Sequence, residues 1–205
     1  AATILNSLKD QFEGTVKLIF QPGEEVLPGG ASLMIQEGAL ENPKPAGIVG
    51  QHVYPQFKSG TVGFRKGMYM ASTDEIHLTV KGKGGHAAEP HLITNPILMA
   101  SEIILEVQKI NDIGQQKNIP TIVSIGFVEG LGATNIVPDQ VYMQGTFRTL
   151  NEKWRKEVHQ KIREICSSVS AKYQGHVNAD IRNGYPYLEN DPELTGRVQK
   201  YATEL

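Results

Sequence analysis

The chain has 205 residues, and its 20 Lys and Arg residues are nearly balanced by 22 Asp and Glu residues, for a formal net charge of −2. Nucleic-acid binding depends on concentrated basic charge that neutralises phosphates, so this even balance argues against a nucleic-acid partner. The apolar runs are far shorter than the roughly 20 residues that cross a bilayer, which argues against a membrane segment.

The first third of the chain alternates the signals of helices and strands. Helical spacing predicts helices over residues 1–12 and about 29–36, the second ended by Gly38. Runs rich in Val and Ile predict strands over residues 15–20 and 46–51. Such strands separated by helices favour a largely parallel, buried sheet, in which ligands bind beyond the carboxyl ends of the strands.

From Ser72 onward, apolar and polar residues alternate as they do in strands with one buried face. The apolar positions of four such strands are Ile76, Leu78 and Val80; Val123, Ile125 and Phe127; Val141, Met143 and Phe147; and Val177, Ala179 and Ile181. Two helices are predicted among them, one with Asn95 as N-cap and Pro96 at its first position, and one with an apolar stripe from Trp154 to Val169. The order βαββαβ predicts a two-layer domain of four strands and two helices.

We therefore predict an α/β protein in which residues 72–186 form a ferredoxin-like domain inserted into a first domain made of residues 1–71 and 187–205. Both ends of the chain lie inside helical patterns and the first residue is not Met, so we expect an internal part of a longer protein. The one cysteine, Cys166, excludes an internal disulfide. With no signal-peptide pattern, the expected compartment is the reducing cytoplasm.

Two adjacent carboxylates, Glu24 and Glu25, follow the first predicted strand on a loop that contains Pro and Gly. Like charges this close are costly unless a cation shares them. A divalent metal would do so, with one carboxylate as its ligand and the other taking a proton from the water that the metal activates. The alternative is a pair of solvated loop acids, and the pattern alone leaves both interpretations open.

His52 follows the second predicted strand, at the sheet edge where Glu24 and Glu25 are also expected. Imidazole and carboxylate together suit Zn²⁺ or Mn²⁺ better than Ca²⁺ or Mg²⁺. An isolated histidine is more often a hydrogen-bonded structural residue. A catalytic zinc takes about three protein ligands, so a site here needs ligands from outside this stretch.

Three residues of the second domain have side chains suited to binding a substrate. His86 follows Gly84-Gly85 among small residues, so its ring N–H can approach a developing oxyanion. Asn135, in a second Gly-rich turn, can donate a hydrogen bond, and Arg148 lies opposite the apolar face of its strand, where it can pair with a carboxylate. Each also has a structural interpretation: an exposed His after a glycine turn, an Asn that tolerates a turn, and a solvated Arg.

The remaining histidines and the cysteine carry less weight as functional candidates. His77 is expected on the polar face of its strand, while His91, His159 and His176 have no convergent partners, so we interpret all four as solvated or structural. Cys166 lies next to Ile165 on a predicted helix and has no basic neighbour that would lower its pKa, so we interpret it as a packed thiol.

Five short motifs, taken in order, resemble those of one enzyme family. They are Gln21-Pro22-Gly23-Glu24-Glu25, Gln51-His52-Val53-Tyr54-Pro55, Gly84-Gly85-His86-Ala87-Ala88, the run from Gly132 to Asp139, and Gly145-Thr146-Phe147-Arg148. Over about residues 15–186 the chain is similar to the M20 metallopeptidase family, most closely to its branch of N-acyl-amino-acid, hippurate and indole-3-acetyl-amino-acid hydrolases. The resemblance implies a partial α/β metallopeptidase catalytic domain with two divalent ions, Zn²⁺ or Mn²⁺. It also implies an inserted ferredoxin-like lid that commonly mediates homodimerisation.

The resemblance implies roles for three residues of the catalytic domain. Glu24 corresponds to the general base, and Glu25 and His52 correspond to metal ligands. The family's upstream His/Cys-Gly-His-Asp segment and its downstream metal-binding His are absent from the sequence. The chain on its own is therefore expected to be a poor catalyst or none.

The resemblance likewise implies roles for three residues of the lid. His86 corresponds to the histidine that polarises the scissile carbonyl in a neighbouring subunit's site, and Asn135 and Arg148 to residues that contact the substrate. The first hypothesis is accordingly a metal-dependent amidohydrolase that cleaves the amide bond of N-acyl amino acids or small peptides with metal-activated water. The second is a non-catalytic ferredoxin-like dimerisation or binding module with vestigial site residues. If the intact gene encodes the upstream His, Cys and Asp ligands, the enzyme is favoured, and if it lacks them, the module is favoured.

Overall fold

The computed structural model describes residues 1–25 and 29–204, and the chain divides into two compact units. The first unit is Ala1–Gly63 and the second is Phe64–Leu205. Every buried apolar side chain in the described residues belongs to the second unit. None of the described helices is long and apolar enough to cross a membrane.

Among its described residues, the first unit contains two short helices. Helix α1 spans Ala2–Ser7 and is followed by a 3-10 turn at Lys9–Gln11, and helix α2 spans Gly30–Gln36. Gly38 follows α2 with a φ of 83°, a left-handed conformation that is common where helices end. Both helical predictions for this part of the chain are confirmed, the first with a change of helix type.

The two strands predicted for the first unit do not form. Residues 15–20 and 46–51 pair with no segment in the described parts of the chain. Their apolar side chains are largely exposed, with Phe20 at 80% and Val49 at 68% of full accessibility. A strand depends on backbone partners beside it, and a buried parallel strand also depends on helices over both faces. The described segments supply neither, so strand propensity alone is insufficient here.

The second unit contains most of the regular structure in the described residues. In chain order its elements are β1 (Gly67–Met70), β2 (Asp74–Lys81), β3 (Gly85–His86), α3 (Pro96–Gln116), β4 (Thr121–Glu129), β5 (Ile136–Val137), β6 (Gln140–Thr149), α4 (Glu152–Tyr173), β7 (His176–Asn183), β8 (Leu188–Asn190) and α5 (Pro192–Thr203). Strand β1 pairs antiparallel with β8, and β3 pairs antiparallel with β5.

Strands β4, β6, β2 and β7 form an antiparallel sheet in that order, with β4 and β7 at its edges. Helices α3 and α4 pack on one face. Asn95 caps α3 as predicted, because its Oδ1 accepts the Ile97 N–H at 2.9 Å. The predicted ferredoxin-like βαββαβ arrangement is therefore confirmed.

The hydrophobic core lies between the two helices and one face of the sheet. Its largest fully buried side chains are Ile76, Leu78 and Val80 of β2; Met99, Ile103, Val107 and Ile110 of α3; Val123 of β4; Met143 and Phe147 of β6; and Trp154 and Ile162 of α4. Full burial of such a side chain contributes about 1.5–3 kcal/mol. This layer is the main source of stability of the ferredoxin-like domain.

One predicted strand face is wrong. Val123 is buried as expected, but Phe127, which the alternation places on the same face, is 43% exposed. The pairing register shifts between Ile125 and Phe127, which leaves Gly126 as an extra residue in a β-bulge. The bulge turns Phe127 onto the face without helices, where its ring lies 6.2 Å from that of Tyr142.

A buried ion-pair network joins the start of β2 to α4. The Asp74 carboxylate accepts hydrogen bonds from Arg155 Nε at 2.9 Å, from His159 Nε2 at 2.7 Å and from the Gly184 N–H at 3.0 Å. Burial by itself raises the pKa of Asp74, but the hydrogen bonds from Arg155 and His159 outweigh it and hold the pKa well below its usual range. His159 is structural but does have a partner, so the prediction that it lacks one is wrong.

Replacing Asp74 with Ala should lower the free energy of unfolding by about 3–5 kcal/mol, because Arg155 would remain as an unpaired buried charge. Asp180→Ala is the matched control on β7, since its ion pair with Arg182 is about half exposed and should contribute less than about 1 kcal/mol. Urea unfolding measures both free energies. Equal losses in the two variants would contradict the conclusion that Asp74 belongs to a buried, stabilising network. Because the folded-state pKa of Asp74 is depressed, its contribution is present above about pH 4 and is lost as the pH falls further.

Candidate functional site

The two Gly-rich segments of the second unit meet beyond one end of the sheet. Strands β3 and β5 form a short antiparallel ladder between them. The Ala87 N–H extends the ladder by donating to the carbonyl oxygen of Asn135 at 2.9 Å. We call residues 82–88 and 132–139 the paired tip. It brings His86 and Asn135, which are distant in sequence, to neighbouring positions.

Close backbone contact explains the glycines of the paired tip. A Cβ at Gly84 would lie 2.4 Å from the carbonyl oxygen of Val137, and one at Gly132 would lie 2.5 Å from another carbonyl oxygen. Gly85 has a φ of +153°, which residues with side chains rarely adopt. Larger residues would push the two segments apart, so the glycines are needed for the pairing that places His86.

One backbone contact determines where the neutral His86 ring carries its proton. The ring is exposed, and its Nδ1 accepts the Ala88 N–H at 3.2 Å. A nitrogen that accepts a hydrogen bond does not carry the proton of a neutral imidazole, so the proton is on Nε2. His86 therefore presents an N–H donor, the group that stabilises negative charge developing on a carbonyl oxygen.

Arg148 lies toward the other end of the same sheet. It pairs across the strands with Ile122 of β4, and both lie on the face without helices. The exposed Arg148 side chain makes no hydrogen bond or ion pair with any residue of the described chain. Between Gln140 and Arg148 strand β6 rises roughly 26 Å. The structure therefore brings His86 and Asn135 together but holds Arg148 apart from them.

Glu24, Glu25 and His52 lie in exposed loops of the first unit. The Nδ1 of His52 is 2.6 Å from the carbonyl oxygen of Val53, which can only accept, so Nδ1 carries the proton and donates it. The Nε2 atom then holds the lone pair that a metal ligand needs, as in histidines whose other N–H is held by a carbonyl. The chemistry of Glu25 and His52 thus suits Zn²⁺ or Mn²⁺.

These two side chains do not complete a metal site on their own. Within residues 1–25 and 29–204, no three His, Cys, Asp or Glu side chains are grouped closely enough to hold a metal ion. A catalytic zinc takes about three protein ligands. Glu25 and His52 therefore fit a divalent metal by their chemistry, and their role as ligands stays a prediction.

The thiol of Cys166 is buried in the core, as predicted from its helical position. Burial raises its pKa to about 11, so the reactive thiolate is scarce at neutral pH. Cys166 is therefore a packing residue and contributes nothing to the candidate site.

Two comparisons of sequence relate these features to known proteins. Residues 73–174 match the profile of a peptidase dimerisation domain. The N-acetyl-L-cysteine deacetylase of Bacillus subtilis is 34% identical over 202 residues, which cover 98% of this chain and 48% of that protein. The match thus extends well beyond the dimerisation domain, over nearly the whole chain.

Solved structures are similar over the same extent. A protein of methicillin resistant Staphylococcus aureus, described as an aminohydrolase, matches with a TM-score of 0.88 and 32% identity over 99% of this chain and 54% of that one. A dinuclear metal binding peptidase of Bacillus subtilis, from the M20 family, matches with a TM-score of 0.73 and 29% identity. The match covers 99% of this chain and 50% of that one. The chain spans about half the length of the proteins it matches.

Proposed function

Because this chain belongs to the M20 peptidase family and contains its dimerisation domain, we propose that it is part of a metal-dependent amidohydrolase acting on N-acyl amino acids or small peptides. The observation that carries the proposal is the paired tip, which brings His86 and Asn135 to neighbouring backbone positions and leaves the Nε2–H of His86 as a donor. A donor of this kind suits an amide carbonyl that becomes negatively charged. The relative named N-acetyl-L-cysteine deacetylase supports N-acyl amino acids as the substrate class.

We propose that residues 72–186 are the inserted lid and that residues 1–71 and 187–205 are parts of the catalytic domain. The match to the dimerisation domain, residues 73–174, falls inside the proposed lid. The pairing of β1 with β8 supports the insertion, because it places the strand before the lid beside the strand after it.

In the proposed reaction, Glu24 takes a proton from the attacking water and returns it to the leaving nitrogen. His86 donates from Nε2 to the carbonyl oxygen as negative charge develops there. Glu25 and His52 would hold a divalent metal, Zn²⁺ or Mn²⁺, in a site of two ions to which further ligands contribute. When bound, such metals make water more acidic and polarise the carbonyl.

The separation of His86 from Arg148 supports a site shared between two chains. Their distance along the sheet, roughly 26 Å between Gln140 and Arg148 alone, exceeds the length of an N-acyl amino acid. We therefore propose a homodimer in which one protomer supplies His86 and Asn135 and its partner supplies Arg148 to the same substrate. The match to a peptidase dimerisation domain supports this arrangement.

Two further expectations follow from the described residues. The 205-residue chain by itself should hydrolyse little or no substrate, because its described residues complete no metal site. We also propose a cytoplasmic location for the full-length protein, since its buried Cys166 is a free thiol, as is usual in reducing compartments.

The test is hydrolysis of a panel of N-acyl amino acids by the full-length protein loaded with Zn²⁺ or Mn²⁺. We expect release of the free amino acid, loss of activity after chelation, and recovery when the metal is returned. The same preparation should sediment as a dimer. A metal-loaded dimer that hydrolyses no member of the panel would favour the non-catalytic dimerisation module instead.

A further inference from the structure

We propose that Asp139 is a positioning residue that holds His86 in place for the proposed reaction, so this inference rests on the proposed function. Asp139 lies in the paired tip between β5 and β6 and contacts the opposite segment at two points. Its Oδ1 accepts the Gly84 N–H at 2.9 Å, and its carbonyl oxygen accepts the Gly82 N–H at 2.9 Å. These two contacts hold the backbone shortly before His86, at Gly82 and Gly84.

The backbone before His86 has few other restraints. The ladder of β3 with β5 is only two residues long, and Lys83 is held by a separate bridge to the segment before α3. Between the bridge and the ladder, the Asp139 carboxylate is the acceptor for the N–H of Gly84. Gly84 and Gly85 are both conformationally permissive, so loss of this bond would free the backbone that carries His86.

The bond is also suited to precise positioning. A hydrogen bond to a carboxylate is stronger than one between neutral groups, and Pro138 immediately before Asp139 is buried and has a restricted backbone. On its other side, the backbone at Gly84 runs close to β5, because a Cβ there would lie 2.4 Å from the carbonyl oxygen of Val137. The segment is thus held between two contacts, and a displacement of about 1 Å can cost about 100-fold in rate.

The first test is kinetic and uses the metal-loaded full-length protein. Asp139→Ala should lower kcat on an N-acyl amino acid by about 10- to 100-fold with KM changed less than about twofold. Asp139→Asn keeps an oxygen acceptor for the Gly84 N–H and should recover most of the lost activity. The matched control is Asn151→Ala, which removes an acceptor of the Trp154 N–H at the same distance of 2.9 Å, and it should leave kcat within about twofold.

A double-mutant cycle tests whether Asp139 acts through His86. Asp139→Ala should add no further loss of kcat when His86 is already Ala, because the effect passes through that side chain. Additive losses would overturn the inference. An equal loss of kcat in Asn151→Ala would overturn it as well, because general destabilisation of the domain would then explain both variants.

Hydrogen exchange separates this inference from the proposed function. In Asp139→Ala, amides of residues 82–88 should exchange about tenfold faster than in the wild type, while Asp139→Asn should stay close to it. Unchanged exchange in Asp139→Ala would overturn the inference whatever the activity. A wild-type protein with the expected exchange behaviour but no hydrolysis of N-acyl amino acids would overturn the proposed function, and the catalytic part of this inference with it.

Discussion

Replacing Glu24 with Gln in the metal-loaded full-length protein is expected to lower kcat by about 10²- to 10⁴-fold, the usual contribution of a general base. Gln has the same size as Glu and keeps one oxygen acceptor, but it does not take a proton from the attacking water. Because Glu24 is proposed to be a base and not a ligand, the metal content should stay unchanged. KM should change little, since the lost interaction belongs to the transition state.

Replacing Glu25 with Gln should have the opposite signature. The variant loses a charged ligand, so the bound metal measured by atomic emission should fall, and added metal should restore part of the activity. Glu13→Gln, at an exposed loop acid of the same unit, is the control and should change neither quantity. Metal loss in Glu24→Gln together with metal retention in Glu25→Gln would reverse the two roles.

The ferredoxin-like domain was predictable because its signals are local. The alternation around Leu78 and Met143 repeats every two residues, and each of these side chains is fully buried. Asn95 caps α3 as predicted. Asn151 caps α4 in the same way, although only the apolar stripe of that helix was predicted. Where residues a few positions apart determine the structure, the sequence pattern is sufficient to predict the strands and helices.

The network around Asp74 also has a signal in the sequence, in two patterns that secondary-structure prediction alone does not combine. Asp74 continues the alternation of Ile76 and Leu78, so it belongs to the buried face of its strand. Arg155 and His159 are one helical turn apart on the buried side of α4. Because a buried carboxylate needs charged or hydrogen-bonding partners, these two patterns together predict the contact.

The paired tip and the missing strands depend on distant segments, and no local pattern reports such pairing. Strands β3 and β5 contain two residues each, too few to show a period, and α3 and β4 separate them in the sequence. Gly126 shows a related effect, because one extra residue turns Phe127 to the other face of the sheet. In the first unit, the apolar runs have the composition of strands but lack described partners.

The second large effect is expected at Arg148, and it depends on the charge of the substrate. The guanidinium has no partner in the described chain. It lies on the sheet face opposite to that of the buried Phe147, so it does not contribute to packing of the core. A guanidinium can bind a carboxylate through two parallel hydrogen bonds, and an N-acyl amino acid has one carboxylate beside the scissile amide. Anchoring that carboxylate would orient the carbonyl for attack.

Arg148→Ala should therefore lower kcat/KM for free-acid substrates by about 30- to 1,000-fold, the equivalent of roughly 2–4 kcal/mol for an unpaired carboxylate in a closed site. The matching carboxamides have no such charge and should lose far less. Arg182→Ala, at another exposed strand arginine, is the control and should affect both substrate types little. Only a direct ion pair makes the loss of kcat/KM depend on the charge of the substrate. Equal losses for acids and carboxamides in Arg148→Ala would therefore show that Arg148 is structural and that another residue holds the carboxylate.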